Sequence, residues 1–297
     1  MKPKVWFNGN LIDWNDCNIH ITSYSLHYGA AAFEGIRFYE TGKGIALFRL
    51  KEHINRLVRS AKILGMKLNY SENKLVNAAK QTVKASKMKN GYLRPIVFYG
   101  KSELYVHTED STVNVAMIIL PWKRYLQNNA VKIMTSSYMR LHPKSVPMDA
   151  KVSGYYANSL LASIEARKNG CDEALLLDYK GNVAEGPAEN FFIVKNGILM
   201  TPPLGNILPG VTRDSVIALA KENKIKIQEK NFKIEEAKKA DEAFFTGTGA
   251  EITPIVQIDS SIIGNRKIGT ITKELAKLFQ EVVSGKNKKY DKWLEYV

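Results

Sequence analysis

Residues 184–190 constrain this chain more than any other segment. Their sequence is AEGPAEN, so that two carboxylates and an amide flank a Gly-Pro turn. The turn leads into residues 191–194, FFIV, whose aromatic and β-branched composition is typical of a buried strand. Glu185 and Glu189 therefore stand where the chain enters a core, and buried carboxylates need hydrogen-bond donors or a cation. Two interpretations are open here: a capped turn with two solvated acids, or one acid that faces a cationic ligand.

The net charge of the chain restricts its partners. Among 297 residues, 43 Lys and Arg against 29 Asp and Glu give a formal net charge of +14. Such an excess is compatible with nucleic acid, an anionic membrane surface or anionic small ligands. The lysines are spread through predicted helices and tails, without a long basic block or interleaved aromatic residues. We therefore expect no nucleic-acid surface.

The cysteines and the apolar runs indicate a reducing, aqueous compartment. Cys17 and Cys171 are far apart and in no metal-like spacing, so neither a disulfide framework nor a metal site is expected. The N-terminus lacks an apolar signal core, and no apolar run approaches the ~18 residues of a membrane span. The prediction is a cytoplasmic protein without a membrane segment or a bound metal.

Periodicity and breaker residues predict two domains. Residues 1–121 combine short strands with two amphipathic helices, at residues 51–65 and 72–87, and would form a small α+β domain. Residues 122–129 are a plausible interdomain linker. Residues 130–297 would form the larger domain.

Two local features of the larger domain carry specific predictions. Asn196-Gly197 between two apolar runs predicts a hairpin with a type I′ turn. A helix ending near Gly170 follows Lys151, and its apolar residues at helical spacing are predicted to face inward. Those residues are Ala157, Leu160, Leu161 and Ile164.

Three further features suit anions. In residues 208–214, Pro and Gly precede a helix that opens with Thr, which exposes backbone N–H groups, although ordinary capping gives the same pattern. The glycines and hydroxyls of residues 246–254 suit phosphate or carboxylate, but such a turn is weak support alone. Arg94 stands amid apolar strand residues, and a buried arginine needs an anion.

Together these segments resemble the class IV, fold-type IV enzymes that depend on pyridoxal 5′-phosphate (PLP). Within that group the chain looks like a branched-chain amino acid aminotransferase. The resemblance spans almost the whole chain, and the ordered set of motifs is specific where no single one is. The motifs are Tyr28-Gly29, FEGIR at 33–37, YLRP at 92–95, AKV at 150–152, EG at 185–186, ENF at 189–191, LPGVTR at 208–213 and TGTGAEITP at 246–254.

The resemblance implies a fold and a cofactor. The fold would be the α+β two-domain, D-amino acid aminotransferase-like architecture, with a small α/β domain and a larger β-barrel-like domain with helices. Lys151 would bind PLP covalently and shuttle the proton. Glu185 would contact the pyridine nitrogen and Tyr156 the phenolic oxygen. The further implied cofactor contacts, to the phosphate and the ring, are Arg56, Leu208, Val211, Thr212, Gly247 and Thr248.

The resemblance also implies the substrate contacts and the activity. Tyr92 and the Thr248-Gly249 turn would take the α-carboxylate, and Arg94 the side-chain carboxylate of glutamate. The implied activity transfers an amino group between L-leucine, L-isoleucine or L-valine and 2-oxoglutarate, in a homodimer or higher homo-oligomer. The apolar pocket would be lined by Tyr28, Phe33, Trp122 and Tyr125, with a neighbouring subunit's loop near residues 104–106.

Departures from the family pattern leave the substrate open. Residues 100–107 are not the small, glycine-rich loop associated with many branched-chain enzymes. Pro187 and Gly249 stand where a small residue and alanine are common. The same fold hosts D-amino acid transaminases and 4-amino-4-deoxychorismate lyase. Arg94 and the turn at residues 246–254 favour the L-branched-chain aminotransferase.

Overall fold

The structure is a computed structural model, which describes residues 3–107, 111–121, 126 and 130–297. Its strands are β1 (Val5–Phe7), β2 (Asn10–Ile12), β3 (Ala31–Phe33), β4 (Ile36–Thr41), β5 (Gly44–Phe48), β6 (Gly91–Tyr99), β7 (Val113–Leu120), β8 (Val131–Thr135), β9 (Glu173–Leu177), β10 (Val183–Glu185), β11 (Asn190–Lys195), β12 (Ile198–Thr201), β13 (Ile227–Glu229), β14 (Glu242–Gly247), β15 (Glu251–Ile258), β16 (Ser261–Ile262) and β17 (Leu294–Tyr296). Its α-helices are α1 (Tyr24–Tyr28), α2 (Leu50–Ile63), α3 (Glu72–Ser86), α4 (Tyr156–Lys168), α5 (Val211–Glu222), α6 (Ile234–Lys238) and α7 (Thr270–Val283).

The chain divides into two compact units that are both discontinuous in sequence. The first comprises Met1–Lys123, Ala150–Tyr155 and Val282–Val297, and the second comprises Arg124–Asp149 and Tyr156–Glu281. The second and third segments of the first unit differ from the predicted division, which assigned them to the larger domain. The cause is long-range pairing, since the 150–155 segment hydrogen-bonds to β3 and β17 pairs with β5. The predicted linker lies, apart from Leu126, outside the described residues.

The first unit is built on one eight-stranded sheet. Its strand order is β17-β5-β4-β6-β7-β1-β2, and β3 also pairs with β6. Helices α2 and α3 contribute apolar residues to the same core as the sheet, among them Ile54, Leu57 and Leu75, all completely buried. Each such side chain stabilises the fold by roughly 1.5–3 kcal/mol relative to an exposed one. The sheet and its helices thereby fix the position of α2.

Pro95 marks a break on one side of β6. Strand β6 pairs with β4 through Leu93 and with β3 from Ile96 onward. The N–H of Glu34 donates to the carbonyl of Pro95 at 2.9 Å, so the proline faces the short connection between β3 and β4. A proline cannot donate a ladder hydrogen bond, and the change of partner strand removes the need for one. This change of partner strand at Pro95 places Glu34 at the break.

The second unit contains a closed barrel. Its nine-stranded sheet runs β10-β9-β8-β15-β14-β11-β12-β13, with β16 on β15. Strand β10 also pairs with β11, through Glu185 and Asn190, which closes a circuit of the six strands from β10 to β11. The inside of the unit is apolar, with Phe191 and Phe245 completely buried. Closure makes the Glu185–Asn190 pair part of the barrel wall.

The predicted hairpin is confirmed. Strands β11 and β12 pair antiparallel across Asn196 and Gly197. Both turn residues have positive φ, 50° and 72°, as a type I′ turn requires.

The predicted orientation of the helix after Lys151 is wrong. Helix α4 buries Ala162 and Ala166 in a cluster with residues of β9, because small side chains let the helix approach the sheet closely. Its larger apolar residues are exposed in the single chain, with Leu160 at 60% and Leu161 at 46%. The apolar stripe of α4 therefore faces away from its own core. Neither α4 nor any other described helix has the length and apolarity to cross a membrane.

Candidate active site

The predicted site residues fall into two groups, one in each compact unit. Those in the first unit are Tyr28, Phe33, Arg56, Tyr92, Arg94 and Lys151. Those in the second unit are Tyr156, Glu185, Leu208, Val211, Thr212, Gly247, Thr248 and Gly249. Two predicted pocket residues, Trp122 and Tyr125, lie outside the described residues.

The backbone of Lys151 is held on both sides. Its N–H donates to the hydroxyl of Ser60 on α2 at 2.9 Å, and its carbonyl accepts from the N–H of Phe33 at 3.1 Å. Three residues later, the N–H of Gly154 donates to the carbonyl of Gly29 at 2.9 Å. A Cβ on Gly29 would lie 2.7 Å from the Cα of Gly154, so this approach requires glycine. The lysine side chain therefore starts from a fixed backbone.

Two cations lie beside the ring of Phe33. The ammonium of Lys151 is 5.0 Å from the ring centroid, and the guanidinium of Arg94 is 4.7 Å from it. Arg94 also donates from Nη2 to the hydroxyl of Tyr92 at 3.0 Å. The buried Nε of Arg94 has no hydrogen-bond partner in the described part of the chain. Two cations attract an anion, and a carboxylate can accept the hydrogen bond that Arg94 Nε lacks.

Arg56 lies in a buried polar network on α2. Its guanidinium donates from Nε and Nη2 to the two carboxylate oxygens of Glu34, at 2.5 and 2.9 Å. Burial alone would raise the pKa of Glu34, but the charges and hydrogen bonds of Arg56 and His53 outweigh it and hold that pKa well below its usual range. Burial lowers the pKa of His53, against the opposing effect of Glu34. The network is thus an ionised carboxylate, a guanidinium and a neutral imidazole at neutral pH.

Glu185 receives donors at both carboxylate oxygens. Arg140 donates from Nε to Oε1 at 2.7 Å, and Asn190 donates from Nδ2 to Oε2 at 2.9 Å. The N–H of Leu208 lies 3.2 Å from each oxygen. Glu185, Arg140 and Asn190 are all buried. A carboxylate with this set of donors is stabilised in its ionised form.

Asn190 also positions the segment that leads into α5. Asn190 Nδ2 also donates to the carbonyl of Leu208 at 2.9 Å, which ties the 208–210 segment to the barrel wall. A Cβ on Gly210 would lie only 1.9 Å from Asn190 Oδ1, so this close approach also needs glycine. Gly210 is the N-cap of α5 and makes no side-chain cap.

Helix α5 begins at an N-terminus that suits an anion. Val211 and Thr212 form its first turn, and the first N–H groups of a helix lack acceptors within the helix. In the neighbouring barrel strands, Thr246 pairs with Asn190, and the buried Thr246 hydroxyl has no hydrogen-bond partner among the described residues. Gly247 ends β14, and Thr248 and Gly249 form the turn that follows it.

The two groups of site residues offer different donors. The first group supplies guanidinium groups and a lysine amine, and the second supplies the first N–H groups of α5. Within the described ranges, no group of three or more His, Cys, Asp or Glu side chains could hold a metal ion.

The family follows from comparison of the whole chain with known proteins. A family model described as amino-transferase class IV matches residues 31–258, which include every described site residue named above except Tyr28. The chain belongs to the class IV aminotransferases. Among members of this family, the branched-chain-amino-acid aminotransferase of Pseudomonas aeruginosa is 40% identical over 97% of this chain and 95% of its own length.

Solved class IV aminotransferase structures match over the same extent. The branched-chain aminotransferase of the archaeon Thermoproteus uzoniensis, with norvaline, is 41% identical, with a TM-score of 0.95 and 99% of each chain covered. The branched-chain amino acid aminotransferase of Thermobaculum terrenum, in its PLP form, is 34% identical, with a TM-score of 0.94 over 99% of this chain and 98% of that one. The fold is therefore the α+β, barrel-containing fold expected from the motifs.

Sequence reasoning missed the residues that support this class IV site. Arg140 belongs to none of the recognised motifs, although it pairs with Glu185. Ser60 and His53 carried no local signal, and Glu34 was quoted only as part of a motif. Arg140 is 45 residues from Glu185, and Ser60 is 91 residues from Lys151, so no short-range pattern connects either pair.

Proposed function

We propose that this class IV aminotransferase uses PLP to transfer an amino group between L-leucine, L-isoleucine or L-valine and 2-oxoglutarate. The observation that carries the proposal is Lys151, with its backbone fixed on both sides and its ammonium beside Phe33. Relatives named branched-chain-amino-acid aminotransferases, aligned over nearly their full length, support the choice of substrate.

The residues present fit the chemistry of PLP. A phosphate ester with nearly two negative charges suits the Arg56 guanidinium and the first N–H groups of α5, at Val211 and Thr212. A protonated pyridine nitrogen suits a buried, ionised carboxylate such as Glu185. The unpartnered hydroxyl of Thr246 and the turn at Gly247 and Thr248 are further polar groups for the same ligand. Solved relatives that hold PLP or ligands derived from it support this cofactor.

Each residue has a defined task in the proposed reaction. When bound, PLP supplies an electron sink for the negative charge that develops at the substrate Cα. Lys151 would hold the cofactor covalently, and its amine would carry the proton at the substrate Cα. Glu185 would favour the protonated form of the pyridine nitrogen. The hydroxyl of Tyr156 would bind the phenolic oxygen, and Leu208 would pack on the ring.

The substrate side chain has to be either apolar or acidic, and the first unit offers both environments. Phe33 and Tyr28 provide aromatic surface for a branched aliphatic chain. Arg94, at 4.7 Å from the Phe33 ring centroid, provides the cation for the side-chain carboxylate of glutamate. Tyr92, which accepts from Arg94, and the Thr248-Gly249 turn bind the α-carboxylate.

The proposed enzyme is a cytoplasmic homodimer or higher homo-oligomer. Two exposed apolar surfaces support self-association: the α4 stripe around Leu160, and the residues 104–106, where Val106 is 79% exposed. Hydroxyls of Tyr24 and Tyr28 donate to the carbonyls of Val106 and Leu104, each at 2.6 Å, and hold this loop in place. We assign the loop to the substrate pocket of a neighbouring subunit.

A panel of amino donors tests the activity directly. Steady-state transamination with 2-oxoglutarate is measured for L-leucine, L-isoleucine, L-valine, L-phenylalanine, D-alanine and D-glutamate. We expect the branched L-donors to be preferred. Activity confined to the D-donors would contradict the proposal, as would release of pyruvate from 4-amino-4-deoxychorismate without any amino acceptor.

The assignment of Lys151 has its own test. Lys151→Ala is expected to abolish turnover and the visible absorbance of the lysine-bound cofactor. The control is Lys144→Ala, because Lys144 is exposed and has been given no role. A Lys151→Ala enzyme that keeps wild-type turnover and absorbance would show that another lysine performs the reaction.

A further inference from the structure

Glu34 is the most deeply buried charged group of the first unit, and no role has been assigned to it. Its side chain is completely shielded from solvent, at the break between β3 and β4 described above. Three side-chain donors surround its carboxylate: Nε and Nη2 of Arg56, and Nδ1 of His53 at 2.7 Å. Its own neighbour, Gly35, adds a long contact from the backbone N–H at 3.4 Å. An ionised group in this position needs such partners, since an isolated buried charge is very costly.

The geometry of the pair fixes the direction of the guanidinium. A guanidinium is planar and carries five N–H groups in a rigid arrangement. Glu34 engages the edge formed by Nε and Nη2 of Arg56, through a bidentate contact. The opposite edge, which carries Nη1, therefore points away from Glu34 in a defined direction. An arginine held by helix packing alone would lack this constraint, because its side chain has several rotatable bonds.

His53 adds a second constraint on the same carboxylate. His53 and Arg56 are three residues apart on α2, so both side chains lie on one face of the helix. Because burial keeps the imidazole neutral, its Nδ1 donates to Glu34 Oε2 without adding charge. The carboxylate is thus held by two residues of one helix, and the Arg56 guanidinium balances its negative charge.

The net charge of the network is therefore close to zero. Glu34 has two opposing effects on an arginine that binds phosphate. A carboxylate beside a phosphate-binding arginine opposes the phosphate electrostatically. It also gives the guanidinium the orientation that directional hydrogen bonds to phosphate need. The bidentate geometry, together with the neutral histidine, favours orientation as the dominant effect.

We propose that Glu34, supported by His53, is a positioning residue that orients the Arg56 guanidinium for the phosphate group of the cofactor. The inference rests on the proposed function, because it requires Arg56 to bind that phosphate. It assigns Glu34 neither a proton transfer nor a contact with the substrate. Its consequence is specific: loss of Glu34 weakens the binding of the phosphate group and leaves the binding of the rest of the cofactor unchanged.

The test compares two ligands that differ only in the phosphate. Apo-protein is titrated with pyridoxal 5′-phosphate and with pyridoxal, and binding is followed by visible absorbance and tryptophan fluorescence. The ratio of the two dissociation constants isolates the contribution of the phosphate. Glu34→Gln is compared with Arg56→Lys and with the control Glu52→Gln, which alters an acid on α2 that pairs with Arg49 at 2.7 Å.

We expect Glu34→Gln to reduce the preference for the phosphorylated ligand on the order of tenfold, the scale of one hydrogen bond to a charged group. Glu52→Gln should leave the preference unchanged. If Glu34→Gln weakened the binding of both ligands equally, the network would only support the fold, and the inference would be overturned. Tighter binding of pyridoxal 5′-phosphate would overturn it as well, since charge repulsion would then outweigh orientation.

The Arg56→Lys variant distinguishes a failure of the proposed function from a failure of the inference about Glu34. If this variant keeps the full preference for the phosphorylated ligand, the assignment of Arg56 in the proposed function fails, and the inference fails with it. If it loses the preference and Glu34→Gln does not, only the inference about Glu34 fails.

A second pair of variants keeps the inference testable if Glu34→Gln does not fold. His53→Asn retains a neutral donor at the position of Nδ1, whereas His53→Leu has a similar volume and no donor. We expect the asparagine variant to keep the phosphate preference and the leucine variant to lose part of it. Identical preferences in the two variants would contradict the supporting role of His53 and the inference with it.

Discussion

Arg140 donates a hydrogen bond from Nε to Glu185 Oε1 at 2.7 Å, and both side chains are buried. The pair joins the loop after β8 to strand β10 of the closed barrel. Asn190 binds the other carboxylate oxygen, so Glu185 is held in place from both sides. The residue expected to face the pyridine nitrogen is therefore positioned by partners that are distant in sequence.

Removal of Arg140 should destabilise the protein. Arg140→Met leaves a buried carboxylate without its cation, and we expect the free energy of unfolding to fall by about 3 kcal/mol. In the double variant Arg140→Met/Glu185→Gln the loss should be smaller than the sum of the single losses by about 1 kcal/mol or more. Urea unfolding measures these values, with the exposed Arg167→Met as control. Additive losses would contradict the coupling.

Removal of the Ser60 hydroxyl should impair catalysis through Lys151. Ser60→Ala deprives the partly buried N–H of Lys151 of its acceptor, which costs roughly 1 kcal/mol of stability. We expect kcat to fall by about tenfold, because the lysine backbone is no longer fixed. Ser71→Ala removes an α3 N-cap worth about 1 kcal/mol and serves as a control of similar stability. Equal kcat values in the two variants would show that Ser60 only supports the fold.

The stability of the protein should fall on acidification through His53. Burial lowers the pKa of the folded His53 below its ordinary value of 6.5, so just below that pH the unfolded chain binds a proton that the folded chain does not. The free energy of unfolding therefore decreases as the pH falls from about 6.5, with a slope of at most about 1.4 kcal/mol per pH unit. Glu34, whose pKa is also lowered, contributes its own loss only at more acidic pH, below about 4.5.

Urea unfolding between about pH 7 and pH 5 measures this effect of His53. His53→Asn, which cannot titrate, should show a shallower dependence than the wild type. His27→Asn is the control, because His27 is exposed on α1. Identical slopes for the wild type and His53→Asn would rule out His53 as the source.

A side chain at position 210 should disturb the start of α5. Gly210 has an ordinary φ of −68°, so Gly210→Ala strains no backbone angle, but its Cβ would lie 1.9 Å from Asn190 Oδ1. We expect a loss of about 1–3 kcal/mol in the free energy of unfolding and weaker cofactor binding. Gly42→Ala, which meets nothing within 4 Å, should change stability by less than about 0.5 kcal/mol. A Gly210→Ala protein as stable as that control would contradict the close packing.

A charge on the exposed stripe of α4 should weaken self-association. Leu160 is 60% exposed in the single chain, and burial of a lysine at an apolar interface is unfavourable. Sedimentation velocity of Leu160→Lys should therefore show a shift toward monomer relative to the wild type. Leu204→Lys changes a similarly exposed leucine in a loop and should not shift it. An unchanged oligomer in Leu160→Lys would place the interface elsewhere.

The sequence by itself determined the family and the type I′ hairpin. These features depend on local conformational preferences and on ordered motifs, which the sequence displays directly. It also supplied Lys151 and Glu185 as candidates, since both belong to motifs whose order is specific.

Only the tertiary structure decided which groups surround those candidates. Ser60 and Lys151 meet because α2 packs on the sheet of the first unit. Arg140 meets Glu185 because the segment after β8 runs beside the end of β9, which pairs with β10. The orientation of α4 was mispredicted because its small residues pack against β9 more closely than its leucines would. Hydrogen-bond partners and buried faces are set by long-range packing, whereas periodicity reports only that a helix has an apolar side.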